Sequence, residues 1–111
     1  MNNTTIHKGL GNVYKDLGFS NAEEMQAKAA LVSNIMSIVK KEKWTQAKAA
    51  TMLGIPQPKI SLLSRGHFSG FSIGKLISLL NKLNQDIEIV VKSKPISKKH
   101  HTGHVSVSCV R

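Results

Sequence analysis

Apolar residues between positions 25 and 39 recur at spacings of three and four. Met25, Ala29, Val32, Met36 and Val39 form a stripe that Leu31, Ile35 and Ile38 widen, the signature of one long amphipathic helix. The helix has a start signal in "FSNAEEM". Ser20 or Asn21 can accept from a free backbone N–H, and Glu23 and Glu24 place negative charge against the positive end of the helix dipole. Lys40, Lys41 and Lys43 crowd its far end, where cations are favoured. "WTQAKAATMLG" begins a second, shorter helix at the N-cap Thr45 and stops it at Gly54, with Ala47, Ala49 and Ala50 leaving room for a close neighbour. "GIPQPKISLLSRG" follows, with Ile60 and Leu63 facing inward and a loop from Gly66 to Gly70. Ser72 then caps a last helix that carries Ile73, Leu76, Ile77, Leu80 and Leu83 and ends at Asn84 and Gln85.

At Asp86 the period changes. In "DIEIVVK", Ile87, Ile89 and Val91 alternate with Glu88, Val90 and Lys92, which predicts a β-strand over 86–92. A lone strand in a helical chain has no partner for its backbone, so it needs a second strand or the same strand of another copy. The expected architecture is all-α, a small helical bundle with one short C-terminal strand paired across a dimer. Residues 1–18 read as a polar leader, 19–92 as the domain, and 93–111 as a basic, disordered tail.

At 111 residues with 41 % hydrophobic content, the chain supports one domain with a modest core. Aromatic residues make up 5 %, so aliphatic side chains must supply that core. Charge changes the picture more. The formal net charge is +10, and its distribution is uneven: six lysines oppose four acids up to Trp44, and five basic residues oppose two acids from Asp86 onward. Between Thr45 and Gln85 there are five basic residues and no carboxylate. An acid-free basic segment of that length points to a polyanionic partner.

That segment also poses the chemical question. Gly54 permits the chain to reverse at positive φ, and Ala50 lets the two short helices cross closely. With Leu53, Ile55, Ile60 and Leu63 turned inward, the side chains left outside are Pro56, Gln57, Pro58, Lys59, Ser61 and Leu62. A helix N-terminus with unpaired N–H groups suits phosphate, and Gln and Lys reach acceptors on base edges in a major groove.

"TQAKAATMLGIPQPKISLLSRG" resembles the helix-turn-helix of XRE-type, phage-repressor-like transcription regulators. The shared pattern is Thr-Gln, a small-residue pair, Leu-Gly-Ile, and a recognition helix that ends in Arg-Gly. The resemblance implies double-stranded DNA binding through Thr45, Gln46, Pro56, Gln57, Pro58, Lys59, Ser61, Leu62, Arg65 and Lys75. Gln46 is expected on phosphate at the start of the first motif helix; Gln57, Lys59 and Ser61 on bases or nearby phosphates; and Arg65 on the backbone. Pro56 departs from the family's usual Ser or Thr cap, and Gln57 can replace it with Pro58 as the first helical residue. Upstream "DLGFSNAEEMQAKAALV" and downstream "GFSIGKLISLLNKLNQDIEIVVK" are similar to HigA-type antitoxins. That likeness implies a homodimer paired through Asp86, Ile87, Glu88, Ile89, Val90, Val91 and Lys92. It also implies repression of the chain's own operon and neutralisation of a RelE/HigB-like ribonuclease toxin. Solitary XRE regulators share the same domain, and a protein-interaction module with secondary DNA binding is the reading from a different class.

Other chemistries find little support. His67, His100, His101 and His104 fit no standard metal-ligand spacing, and no cofactor is implied. No nucleophile–base pair or glycine-rich phosphate loop is visible, so no enzyme is expected. Cys109 stands alone, which excludes an intramolecular disulfide and fits a reducing compartment. "MNNTTIHKGLG" lacks the apolar core of a signal peptide, and the expected location is cytoplasmic, on the nucleoid. Met25 and Met36 are expected in the core, with Trp44 as a packing anchor.

Overall fold

A computed structural model describes residues 21–96 and 103–110. Four helices follow in order: α1 (Asn21–Lys41), α2 (Gln46–Leu53), α3 (Gln57–Ser64) and α4 (Ile73–Lys82). The most extensive packing is between α1 and α4 and between α2 and α3. Ile35, Leu53, Ile60, Leu63, Leu76 and Leu79 form the fully buried centre. The predicted inward residues Leu53, Ile55, Ile60 and Leu63 all belong to the buried core around this centre, and Trp44 and Met36 pack on its margin.

All four helices end in the same way, because a chain that reverses tightly must find donors for its last carbonyls. In each, an N–H bonds back across six residues: Trp44 to Val39 O, Ile55 to Ala50 O, His67 to Leu62 O and Gln85 to Leu80 O. Each reversal needs a residue in the left-handed region, namely Lys43 (φ 58°), Gly54 (φ 69°), Gly66 (φ 78°) and Asn84 (φ 62°). Glycine and asparagine suit that region, whereas Lys43 adopts it at a steric cost.

The core-facing side of α1 differs from the expected stripe. Ala27, Lys28, Leu31, Val32, Ile35 and Val39 are buried, while Ala29 is exposed and Met25 is 40 % exposed. The expected stripe counts apolar positions only and so leaves out Lys28. The lysine is in fact buried, and its Nζ pairs with Glu24 Oε2 at 3.2 Å and donates to the Ser69 carbonyl at 3.1 Å.

The expected strand over 86–92 is corrected. No strand is present among the described residues, and Asp86, Ile87, Glu88, Ile89, Val90, Val91 and Lys92 are exposed without regular structure. The two-residue period prepares one edge for pairing, but among the described residues no other edge answers it. Residues 1–18 lie outside the described residues, as does the possible cap Ser20. Part of the segment read as a disordered tail lies against the start of α1. His104 Nδ1 and the Val105 N–H both reach Glu23 Oε2, at 3.1 and 3.2 Å, and Val107 packs on the core.

Candidate nucleic-acid interface

The site is built on the turn between α2 and α3. Thr45 caps α2, its Oγ1 accepting from the Lys48 N–H at 3.1 Å. At the other end Gly54 turns the chain, and the Lys82 ammonium of α4 donates to the Leu53 carbonyl at 3.1 Å. The positive φ of Gly54 favours glycine there, and a Cβ would in addition lie 3.0 Å from that ammonium, at the flexible end of the Lys82 side chain. The turn is thus fixed from within the motif and from α4.

The two prolines of "IPQPK" then acquire distinct roles. Pro56 is the N-cap residue of α3 with φ −60° and ψ 146°, and no side chain caps the helix. Gln57 is the first helical residue; the expectation that it would cap, with Pro58 beginning the helix, is therefore corrected. Pro58 occupies the second position and brings no N–H, which removes one of the donors a helix start leaves orphaned. The Lys59 N–H is taken by the Pro56 carbonyl at 2.9 Å. Prolines therefore replace a cap by setting the backbone and reducing the number of donors that need one.

Pro56, Gln57, Pro58 and Lys59 are exposed, as are Thr45, Gln46, Arg65 and Lys75. Ser61 is half-buried. Leu62, expected on the outer face, is also half-buried and leans on the core. Gln46 is held across the motif, its Nε2 donating to Ser64 Oγ at 3.3 Å, while the Ser64 hydroxyl donates to Ser61 O at 2.9 Å. Arg65 Nε donates to Ser61 O at 3.3 Å, which folds its side chain along the end of α3. The Lys59 ammonium lies 5.6 Å from the centre of the Phe71 ring. Ser72 caps α4 by accepting from the Lys75 N–H at 3.0 Å.

Lys48, Lys59 and Lys75 each occupy the third position of a helix, in α2, α3 and α4 respectively. None of these helices has an acid in its first turn, whereas α1 carries Glu23 and Glu24 there. A cation near the positive end of a helix dipole is unfavourable by about 0.3–1 kcal/mol. Three such placements in succession run against stability and suit an external anion. Lys48 is absent from the residues singled out by sequence pattern, yet its place three residues after the cap Thr45 matches that of Lys75 after Ser72, and that spacing was the available signal.

No metal-ligating group of three or more His, Cys, Asp or Glu is present among the described residues; His100 and His101 lie outside them. No described helix is long and apolar enough to cross a membrane.

A family model described as a helix-turn-helix domain matches residues 13–92. A solved structure, itself provisionally assigned as an XRE-family transcriptional regulator, superposes with a TM-score of 0.72 at 38 % identity, over 82 % of this chain and 100 % of that one. Among curated proteins no match is found. A two-helix motif held by a left-handed glycine, the basic helix starts around it and these two likenesses agree: the chain belongs to the XRE-type helix-turn-helix family of DNA-binding transcriptional regulators.

Proposed function

We propose that the chain is a sequence-specific repressor that binds a palindromic operator as a homodimer, with α3 in the major groove. The observation that carries this reading is the reversed polarity of the helix starts. Lys48, Lys59 and Lys75 stand where a stable isolated fold would place acids. Phosphate answers all three at once. Gln57 and Lys59 then face base edges, while Gln46, Arg65 and Lys75 fix the register on the backbone.

The second copy is supported by the exposed Ile87, Ile89, Val90 and Val91, an alternating segment whose ladder bonds need another edge. Pairing of 86–92 across the two-fold axis would satisfy the backbone edge and set Ile87, Ile89 and Val91 on one face of the ladder. The likeness to HigA-type antitoxins refines the reading to a regulator that represses its own operon and neutralises a RelE/HigB-like toxin. Residues 1–18 are then a leader, of which 13–18 fall within the stretch that the family model matches, and 93–111 a basic extension. This assigns no enzymatic step to the chain.

Footprinting on DNA upstream of the chain's own gene, at controlled salt, tests the proposal. The expected result is two protected half-sites about 34 Å apart, or a multiple of that, with affinity falling steeply as salt rises. Absence of protection at low salt overturns it. Co-expression with a neighbouring small basic protein tests the antitoxin refinement, which predicts a complex that survives purification.

A further inference from the structure

The Lys59 ammonium rests over Phe71, and Phe71 belongs to the loop of residues 65–72 that follows α3. That loop is pinned from below. Lys28 of α1 donates to the Ser69 carbonyl at 3.1 Å, the Phe71 N–H bonds to Phe68 O at 2.9 Å, and the Phe71 ring is buried. Lys28 is the one buried charged residue among the described residues, with Glu24 3.2 Å away as its counter-ion. A buried ion pair is a poor device for stability, because desolvation offsets most of the attraction. It is a good device for geometry, since an ammonium is satisfied only when its acceptors are correctly placed.

We propose that Phe71, held in place by the Lys28–Glu24 pair through Ser69, is a positioning residue that sets where Lys59 presents its charge to DNA. The assignment rests on the DNA-binding reading of Lys59. A lysine side chain is a flexible four-carbon stem, and at this exposed helix start the ring is its side-chain contact among the described residues. The face of an aromatic ring attracts the ammonium and narrows the range it samples. α3 supplies the residue that reaches out; α1 and the loop fix its aim.

The test uses the full-length chain and its operator duplex. Phe71→Leu keeps an apolar side chain in the same place and removes the ring. It is expected to weaken operator affinity about two- to fivefold, and Phe71→Tyr is expected to restore it. In a Lys59→Gln background, Phe71→Leu should have no further effect, because the two act as one unit. A merely structural Phe71 would instead give additive losses in that background, and such additivity overturns the proposal, as does unchanged affinity in Phe71→Leu. If Phe71→Leu fails to fold, the double variant Lys28→Met with Glu24→Gln decides. It should keep or raise the melting temperature while weakening operator binding; full affinity with an intact fold overturns the assignment. Failure of the underlying reading looks different: Lys59→Gln alone would then leave affinity unchanged, and the positioning role would fall with it.

Discussion

α3 and α4 are neighbours in sequence and similar in length, yet they are built on opposite plans. α4 buries Ile73, Leu76, Leu79 and Leu80, has Ser72 as a side-chain cap, and lies against the longest helix of the molecule. α3 buries only Ile60 and Leu63, has no side-chain cap, and opens with four consecutive exposed residues from Pro56 to Lys59. The first plan fixes a scaffold through apolar burial and satisfied donors. The second keeps a minimum of core contacts and leaves the remaining surface exposed. The backbone of α3 is then held from outside, by the Gly54 turn, by Lys82 of α4 at the end of α2, and by the pinned loop that follows.

The comparison predicts that truncations in the two helices fail in different measurements. Leu79 is fully buried in α4, so Leu79→Ala should cost about 2–5 kcal/mol of stability, enough to unfold a domain of this size at moderate temperature. Urea denaturation followed by helical signal reads it directly. A loss below about 1 kcal/mol would show that α4 is not the scaffold element its burial implies.

In α3 the corresponding experiment is Gln57→Ala. The side chain is exposed and makes no hydrogen bond to the described residues that would be lost, so stability should stay within about 0.5 kcal/mol of the parent. Operator affinity should fall by about 1–3 kcal/mol, with preference relaxed at one base position, if Gln57 reads a base edge. A uniform loss across all sequences would move Gln57 from base reading to backbone contact. No change in affinity would remove it from the interface.

What the amino-acid pattern reveals follows the same division. The caps Thr45 and Ser72, the reversal at Gly54, and the exposure of Gln57 and Lys59 depend on neighbours a few residues away, and all are legible. Lys28 is not, because its burial is explained only by Ser69, which lies forty-one residues further on. A stripe drawn from apolar positions alone therefore omits it. Lys43 gives no signal for the left-handed region, since that conformation is imposed by the path from α1 to α2. The strand expected at 86–92 shows a further limit. Alternation specifies which side chains share a face, but not whether a second edge is present to complete a ladder. Leu62 illustrates the limit on a short helix, where two apolar neighbours can share the inward face.

The proposed interface extends to α4, and a charge reversal at Lys75 tests that extension. Lys75→Glu places an acid in the first turn of α4, behind the cap Ser72, and should raise stability by about 0.3–1 kcal/mol through the helix dipole. The same change should weaken DNA binding and reduce the magnitude of the salt slope by about 1 or more, as expected on loss of a phosphate contact. Thermal melting and a salt titration of operator affinity separate the two effects. A gain in stability with undiminished DNA affinity would leave α4 purely structural and confine the interface to α2 and α3.

The smallest expected effect lies at the cap that α3 lacks. In Pro56→Ser, the new hydroxyl has one acceptable donor, the Lys59 N–H at the third helical position, because Pro58 provides none. That is the bond Thr45 makes to Lys48 and Ser72 makes to Lys75. A cap of this kind contributes about 1 kcal/mol. Two terms reduce the gain: the Lys59 N–H already bonds to the carbonyl of residue 56 at 2.9 Å, and loss of the proline ring frees the unfolded chain by about 0.4–1 kcal/mol. The net should be a stabilisation of a few tenths of a kcal/mol at most, well below the loss from Ser72→Ala at the start of α4, where no proline compensates. Equilibrium denaturation of both variants measures the pair. If Pro56→Ser instead stabilises the chain by as much as Ser72→Ala destabilises it, the prolines do not replace a cap, and α3 carries an unsatisfied start that only its partner fills.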